Sequence, residues 1–320
     1  MIRPIAAVLT FLSLAAPALA QGAFPDKPIK VIVPYAAGGG VDVMARLFAE
    51  KAAPLFGVPV IVENRAGASG TIGGQAVHQS LPDGYTLLFA PLTHVMANIV
   101  LKSAPYDAVN DFTPVARVGE SSMLVVVSTK TTPKTLAEVA VAAREHPADW
   151  TIATSGLGSA GHVASIELSN VSKANMTITP YRGTAPALTD VMGGHVQLLI
   201  DSIVTLLPAA RDGKIRALAI TASKRSALAP EVPTAVESGM PSLTFTSWFG
   251  FFGPKGMPND VVTKLNTVFN EAGHKLAQEK RLEPLGAEPV AETPEDFARF
   301  VRAQVERNTK LLQGAGFKPQ

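Results

Sequence analysis

A glycine-rich turn between a predicted strand and a predicted helix constrains this chain most. The apolar segment Ile29–Val33 ends at Pro34, and three glycines, Gly38 to Gly40, precede apolar residues that recur at helical spacing. Glycine adopts backbone angles that other residues avoid, so several peptide N–H groups can point at one guest. The first N–H groups of a helix have no partner within it and carry partial positive charge. The segment therefore predicts a helix N-terminus suited to a carboxylate or a phosphate.

The same turn has a plainer interpretation as a tight connection, and the nucleotide-binding motifs do not match it. A dinucleotide fingerprint that starts at Gly38 needs a glycine where Val43 stands. A P-loop needs Gly-Lys-Ser/Thr where the chain has Met44-Ala45-Arg46. The turn is therefore better suited to a small anion than to a nucleotide.

Strand-like and helix-like segments alternate along the rest of the chain. Strands are predicted over 29–33, 60–62, 86–89, 124–127, 151–153, 177–179, 196–200, 216–221 and 248–252. Helices are predicted over 41–53, 71–80, 136–144, 160–168, 185–192, 204–210, 258–277 and 294–312. This alternation is typical of parallel sheets, in which ligands bind beyond the carboxyl ends of the strands. The pattern restarts near Met123, which predicts two α/β lobes with a cleft between them.

Residues 1–20 have the features of a cleaved secretory signal peptide. They carry one charge, Arg3, then an apolar core, and they end in Ala18-Leu19-Ala20, which fits a cleavage site. The apolar stretch is shorter than the ~20 residues that a membrane-spanning helix needs. The chain has no cysteine, so we expect neither a lipid anchor nor a disulfide. We therefore expect a mature protein that begins near Gln21 and is free in solution.

The charge balance argues against a nucleic-acid partner. The chain has 28 basic and 26 acidic residues, and loss of Arg3 with the signal peptide leaves 27 basic residues. Aromatic residues make up 6% of the chain and no basic block is present. A near-neutral chain of this kind lacks the positive patch that binds phosphate backbones.

Catalytic motifs are incomplete. Gly67-Ala68-Ser69-Gly70-Thr71 and Gly158-Ser159-Ala160-Gly161 each depart from the nucleophile elbow of serine hydrolases, and both are explained as helix starts. No pair of histidines has metal-ligand spacing, so no metal site is predicted. We expect no cofactor. A secreted α/β hydrolase that uses Ser69 or Ser159 remains the alternative enzyme hypothesis.

Several other residues have two interpretations. Asp201, directly after an apolar strand, either caps the next helix or faces the cleft and accepts a hydrogen bond from a ligand. Tyr181 and Trp248 are either core aromatics or cleft walls. Thr93 and His94, on the turn after the third strand, are candidate ligand contacts.

Many short motifs resemble one family, the Bug proteins, which are periplasmic solute-binding receptors of the tripartite tricarboxylate transporter system. They include Phe24-Pro25-Asp26-Lys27-Pro28-Ile29, the segment from Pro34 to Arg46, Val62-Glu63-Asn64-Arg65-Ala66-Gly67-Ala68-Ser69-Gly70, Pro82-Asp83-Gly84-Tyr85-Thr86, Asp111-Phe112-Thr113-Pro114-Val115-Ala116, Tyr181-Arg182-Gly183, Arg211-Asp212-Gly213-Lys214-Ile215-Arg216-Ala217-Leu218-Ala219 and Val232-Pro233-Thr234. The resemblance covers essentially the whole mature chain. It implies an α/β, two-lobed periplasmic binding protein fold of type II, the Venus flytrap, that closes on a small carboxylate.

The resemblance also implies a set of ligand-binding residues. In the first lobe these are Ala37, Gly38, Gly39, Gly40, Val41, Ala68, Ser69 and Gly70. In the second lobe they are Ser155, Gly158, Ser159, Gly183, Thr184, Ala185 and Asp201, and we add Thr93, His94 and Tyr181 as candidates. The family commonly has Thr or Ser where this chain has Val41, so one hydroxyl is missing from the first turn.

These observations together predict a non-enzymatic binding protein. We expect residues 21–122 and 245–320 to form the first lobe and residues 123–244 the second. The expected ligand is a small carboxylate: a dicarboxylate or tricarboxylate, an aromatic acid or an amino acid. The expected partners are the subunits of a membrane permease, with a sensor kinase as the alternative, and we expect a monomer.

Overall fold

The computed structural model describes residues 24–320, so the predicted signal peptide lies outside the described residues. The strands are β1 (Ile29–Val33), β2 (Val60–Asn64), β3 (Thr86–Ala90), β4 (Phe112–Ser128), β5 (Thr151–Thr154), β6 (Thr177–Pro180), β7 (Leu198–Ser202), β8 (Ile215–Ile220), β9 (Thr246–Pro254) and β10 (Ala287–Pro289). The helices are α1 (Gly40–Phe56), α2 (Thr71–His78), α3 (Leu92–Val95), α4 (Ala97–Val100), α5 (Leu136–Glu145), α6 (Ala160–Val171), α7 (Thr184–Gly193), α8 (Ile203–Arg211), α9 (Asn259–Gln278) and α10 (Pro294–Gly314).

One long strand, β4, belongs to two sheets. Its first part, from Phe112 to Ser122, pairs with β9 in a sheet that also contains β1, β2, β3 and β10, here called sheet A. Its last part, from Met123 to Ser128, pairs with β7 and β8 in sheet B, which also contains β5 and β6. The pairing therefore changes partners between Ser122 and Met123.

The parallel strands of both sheets have their carboxyl ends at the boundary between the sheets. In sheet A, β1, β2 and β3 are mutually parallel, and β3 is antiparallel to β9, which is antiparallel to β4. Strand β3 therefore runs in the same direction as β4, toward sheet B. In sheet B, β5, β6 and β7 are mutually parallel and run against β4, toward sheet A. The turns after both sets of strands consequently face the region between the sheets.

Two further connections cross this boundary. The segment between β8 and β9 returns the chain to sheet A, and Thr221 and Phe245 lie side by side there, with the Phe245 N–H donating to the Thr221 carbonyl at 2.9 Å. Helix α10 contacts both β4 and α6. The chain after it continues the contact with both sides, because Phe317 packs on His162 of α6 while Gln320 exchanges backbone hydrogen bonds with Val100 and Lys102.

Helices pack on both sheets over apolar cores. On one face of sheet A, α1 and α9 bury Phe48 and Phe269 against Phe251, whose ring stacks on that of Phe269 with 3.7 Å between centroids. On sheet B, α7 and α8 cover a cluster that includes Leu124 and Leu199. A third cluster contains residues of both sheets, for example Leu88 and Ile200.

The structure also differs from several of the predicted elements. Residues 90–94, expected as a loop, contain the short helix α3, and β4 begins at Phe112 rather than at Leu124. Both sheets are mixed, because β4 and β9 are antiparallel to their neighbours. Within residues 24–320, none of the helices has the length and apolar character of a membrane span.

Candidate functional site

The first two turns of sheet A lie next to each other. Strands β1 and β2 are in parallel register, with Val33 opposite Asn64, so the chain leaves both strands at the same edge. The Asn64 side chain joins the two turns, since its amide donates to the Tyr35 carbonyl at 3.1 Å and to the Asp42 carboxylate at 2.8 Å. The two turns therefore form one surface.

The glycine turn leaves backbone N–H groups without partners. Gly38 has a φ of +82°, which favours glycine, and its N–H donates to the Asp42 carboxylate at 2.8 Å. Gly39 is the N-cap of α1 and provides no side-chain cap. Among the described residues no acceptor takes the N–H groups of Gly39, Gly40 and Val41. Gly39 is exposed and Gly40 and Val41 are partly exposed, at the positive end of α1.

Asp42 braces this turn instead of taking part in acid–base chemistry. Burial favours the neutral carboxyl, but hydrogen bonds from Arg46, from the Gly38 N–H and from Asn64, together with the Arg46 charge, hold the pKa of Asp42 below its usual value. The carboxylate is therefore ionised near neutral pH. Its bonds fix the path of the turn before a ligand arrives.

The second turn, from Ala68 to Gly70, has an uncommon backbone. Ala68 and Ser69 have φ angles of 45° and 55°, and Gly70 follows at 89°. Left-handed backbone costs free energy for residues other than glycine, and such strain concentrates at functional sites. In the described part of the chain, the N–H groups of Ala68 and Ser69 have no acceptor, and the Ser69 side chain is exposed.

The third turn lies close to the second, but its predicted contacts are buried. Helix α3 contacts the Ala68–Gly70 turn, and Thr93 and His94 are 8% and 4% exposed. The His94 ring packs against Phe112 and Phe252, with its Nδ1 3.5 Å from the Tyr106 hydroxyl. A ligand in the cleft therefore has little access to the His94 side chain.

The turns of sheet B meet around Asp201. Strand β7 ends at Ser202, so Asp201 lies within the strand rather than after it. The Thr184 hydroxyl, at the start of α7, donates to the Asp201 carboxylate at 2.9 Å, and the Ser202 N–H donates to its other oxygen at 2.7 Å. Burial raises the pKa of Asp201, although hydrogen bonds from Ser202, Ser155 and Thr184 oppose the rise.

Two other predicted residues of this lobe have structural partners. The Ser159 hydroxyl accepts from the His162 N–H at 3.0 Å as the N-cap of α6, and it lies 3.0 Å from the Thr154 hydroxyl. The Tyr181 hydroxyl donates to Asp190 at 2.6 Å, and burial together with this carboxylate raises the pKa of Tyr181 to about 12. In the part of the chain that the structure describes, neither hydroxyl has a histidine side chain as its hydrogen-bond partner.

The two sides of the boundary touch at Gly158. A Cβ built on this glycine would lie 2.9 Å from Cβ of Met96, which belongs to the sheet A side. Gly183 is different, because a Cβ there would meet no atom of residues 24–320 within 4 Å. It has a φ of 121° and begins α7 without a side-chain cap, beside the exposed Ala185. The first N–H groups of α7 therefore have no side-chain cap, and they lie at the helix start whose Thr184 contacts Asp201.

The residues that sequence reasoning missed are those that hold the turns. Asn64 is the last residue of β2 and Tyr35 lies two residues after β1, and their position at strand ends was the available signal. The Tyr35 hydroxyl is buried without a hydrogen-bond partner among the described residues. Burial raises the pKa of Tyr35 to about 12, and the Thr93 side chain opposes part of this rise. No group of three or more His, Cys, Asp or Glu placed to hold a metal ion occurs between residues 24 and 320.

Comparisons with known proteins give a consistent result. Residues 44–317 match the family described as the tripartite tricarboxylate transporter family receptor. Protein BugT of Bordetella pertussis is 34% identical over 325 residues, which cover 99% of each chain.

Solved structures agree with this match. The periplasmic binding protein BugD superposes with a TM-score of 0.84 at 33% identity, covering 93% of this chain and 100% of that one. An R. palustris protein solved with adipate gives 0.87 at 32% identity and the same coverage. MatC from Rhodopseudomonas palustris with bound malate gives 0.82 at 35% identity, covering 90% of this chain and 100% of that one.

Proposed function

The chain belongs to the tripartite tricarboxylate transporter receptor family, and we propose that it captures a small dicarboxylate in the cleft between its two lobes. Members of this family are receptors of a transporter system. The lobes are proposed to comprise residues 21–122 with 245–320, and residues 123–244. Closure of the lobes around the acid would present a shape that a membrane permease recognises.

One observation carries the proposal. The N–H groups of Gly39, Gly40 and Val41, which have no acceptor within residues 24–320, lie on the turn next to that of Ala68 and Ser69. Both turns follow strands that run toward sheet B. A carboxylate has two oxygens and about four acceptor sites, so it can take several of these donors at once. Hydrogen bonds from N–H groups to a charged acceptor are stronger than those between neutral groups.

The size of the acid is inferred from relatives. Two family members that superpose on this chain were solved with adipate and with malate. Both molecules have a carboxylate at each end, so the turns of the first lobe can hold one end while the second lobe holds the other. We propose that Ser155, Gly158, Gly183, Thr184, Ala185 and Asp201 contact this second end.

The proposal includes no covalent step. The Ser159 hydroxyl is engaged as a helix cap, and Ser69, although exposed, has no hydrogen bond to a histidine in the part of the chain that the structure describes. A fluorophosphonate probe checks this point on the purified protein. Stoichiometric labelling of either serine would support the hydrolase alternative.

The proposed setting is the periplasm, with residues 1–20 removed as a signal peptide and the mature protein acting as a monomer. A protein that only signals to a membrane sensor would need the same cleft. Uptake of the acid in a strain that lacks this gene but expresses the permease separates the two roles. We expect uptake to be lost, whereas a pure sensor would leave it intact.

The test of the binding site is calorimetric titration of the mature protein with dicarboxylates of four to six carbons and with their diamides. We expect an acid to bind and its diamide not to bind. Gly39→Asp should weaken binding of the acid by at least about a hundredfold, because the new carboxylate would repel the bound one. That factor corresponds to about 2.7 kcal/mol of binding free energy.

Gly39→Ala is the matched control for this experiment. Gly39 has a φ of −76°, and a Cβ there would lie 3.6 Å from the Ala36 carbonyl oxygen, so alanine fits without strain. This variant keeps the N–H groups free, and we expect affinity within a few-fold of the parent. Equal affinity of Gly39→Asp and Gly39→Ala would show that the acid is not held at this turn.

A further inference from the structure

A separate cavity lies between helix α6 and the chain that follows α10. Its volume is about 240 Å³, and its apolar walls include Ile166 of α6, Met176 and Ile178 at β6, and Phe317. Within residues 24–320, none of the residues proposed to bind the carboxylate lines it. This cavity, here called the α6 cavity, is therefore distinct from the cleft between the lobes.

The two facing walls of the α6 cavity are held by different parts of the molecule. Helix α6 contacts β5, β6 and β7 of sheet B. The segment that carries Phe317 is tied to the sheet A side, because the Gln320 N–H donates to the Val100 carbonyl at 3.0 Å and the Lys102 N–H donates to the Gln320 carbonyl at 3.0 Å. These backbone bonds hold the Phe317 wall in place, so the cavity is formed before any ligand binds.

His162 brings an unused hydrogen-bond donor to this cavity. Its side chain is 3% exposed, lines the cavity and packs on Phe317 with 5.3 Å between ring centroids. The Gly158 N–H donates to Nδ1 at 3.2 Å, so the proton of the neutral ring is on Nε2. Within residues 24–320, no acceptor takes this Nε2–H. A buried donor without an acceptor costs free energy, which a ligand oxygen would recover.

The remaining lining favours a neutral aromatic guest. Among the described residues, no Asp, Glu, Lys or Arg lines the cavity, and its exposed rim carries the uncharged amides of Asn170, Asn175 and Gln320. A charged molecule would lose hydration there without gaining a counter-charge. The Phe317 ring offers an aromatic contact. An apolar cavity of roughly 150 Å³ binds benzene, so this volume suits one ring with a short substituent.

We propose that the α6 cavity is a second ligand site, which takes a neutral molecule with one aromatic ring and one carbonyl group. The ring packs between Ile178 and Phe317, and the carbonyl oxygen accepts a hydrogen bond from His162 Nε2–H. The inference does not depend on the proposed function, because the two sites share no residue.

A purely structural role for His162 predicts different behaviour. If the ring only supports Phe317 and the Gly158 turn, the cavity should treat an aromatic ketone and a hydrocarbon of the same shape alike. If Nε2 donates to the ligand, the ketone should bind more tightly. The ratio of the two affinities therefore separates the two roles.

The experiment is fluorine NMR of 4′-fluoroacetophenone mixed with the mature protein, in which line broadening of the probe gives its Kd. The comparison compound is 4-fluoro-α-methylstyrene, in which a CH₂ group replaces the carbonyl oxygen. We expect the ketone to bind and the hydrocarbon to bind at least about tenfold more weakly, because it leaves the buried donor without an acceptor.

Ile178→Phe tests where the ketone binds. The larger side chain occupies the cavity from its β6 wall, and we expect affinity to fall at least about tenfold. Thr177→Phe is the matched control, because Thr177 is the exposed neighbour on β6, points to the other face of the strand and does not line the cavity. It should keep the parent affinity.

Asn175→Trp is a second test of location that leaves the core untouched. Asn175 is an exposed rim residue, so a larger side chain there covers the opening without overpacking the interior. We expect this variant to fold, as checked by circular dichroism, and to weaken the ketone as well.

Three results would overturn the inference. They are no binding of the ketone, equal affinity for the ketone and the hydrocarbon, and parent affinity for the ketone in folded Ile178→Phe or in Asn175→Trp. None of them bears on capture of a dicarboxylate, which is measured in its own titration.

Discussion

Two buried histidines, His94 and His162, connect the stability of this protein to pH. His94 and His162 are 4% and 3% exposed, and burial lowers their pKa values to about 3 and about 4. The His162 Nδ1 accepts from the Gly158 N–H at 3.2 Å, which requires a neutral ring at that atom. Both rings therefore stay neutral in the folded protein over the range in which free histidine becomes charged.

Stability should fall between pH 7 and pH 5. Below an unfolded-state pKa of about 6.5, the unfolded chain binds protons that the folded chain refuses, so the free energy of unfolding decreases as pH falls. The loss at pH 5 is about 2 kcal/mol for each buried histidine. Urea unfolding at several pH values measures it.

A matched pair of variants tests whether this loss of stability comes from the buried histidines. His162→Gln keeps an acceptor for Gly158 and should remove roughly half of the loss. His274→Gln changes an exposed histidine on α9 and should preserve it. A pH dependence that is unchanged in His162→Gln would contradict the assignment.

The helices differ in how they begin. Helices α5, α6 and α10 have a Thr or Ser side chain as N-cap, namely Thr135, Ser159 and Thr293. Helices α1, α2 and α7 begin at glycines that provide no side-chain cap. A capping side chain would occupy the N–H groups that the proposed ligand needs, so glycine at these starts suits a binding turn.

Removal of the Ser159 hydroxyl should act on stability more than on binding. Ser159→Ala removes the cap of α6 and should lower the free energy of unfolding by about 1 kcal/mol. Thr293→Ala, which removes the cap of α10 outside the proposed binding turns, should cost a similar amount. An unchanged stability with lost affinity in Ser159→Ala would instead make Ser159 a direct ligand contact.

The whole molecule is held together by β4 and by the segments that cross beside it. Strand β4 contributes to both sheets, and one apolar cluster includes side chains from each. The C-terminal residues add contacts on both sides, through Phe317 and Gln320. Neither sheet can unfold without exposing core residues of the other, so we expect one cooperative transition.

The two tryptophans report on this cooperativity separately. Trp248 lies on β9 of sheet A, and Trp150 precedes β5 of sheet B. In Trp150→Phe and in Trp248→Phe, urea unfolding followed by the remaining tryptophan should coincide with unfolding followed by far-ultraviolet circular dichroism. Separate midpoints for the two signals in either variant would mean that the lobes unfold independently.

Local sequence patterns were sufficient for most elements and for the family. The start and end of β1 agree with the prediction, and α1 was found to within a few residues, because a β-branched run, a glycine turn and a helical repeat are signals carried by neighbouring residues. The resemblance to Bug proteins is confirmed by the family match and by the relatives. The two-lobed fold class is likewise confirmed by the structural neighbours.

The tertiary structure decided which of these local pieces meet. Most of β4 was missed because Pro114, Arg117 and Gly119 interrupt its apolar pattern, and its pairing with β9 depends on residues far away in the chain. Other features also depend on segments that are distant in the sequence. They are the burial of His94, the hydrogen bond from Tyr181 to Asp190 and the hydrogen bonds to Asp201. A sequence pattern indicates which face of an element is apolar. The hydrogen-bond partner of a polar side chain is determined only by the tertiary structure, because the strand order decides which turns lie at the same edge of a sheet.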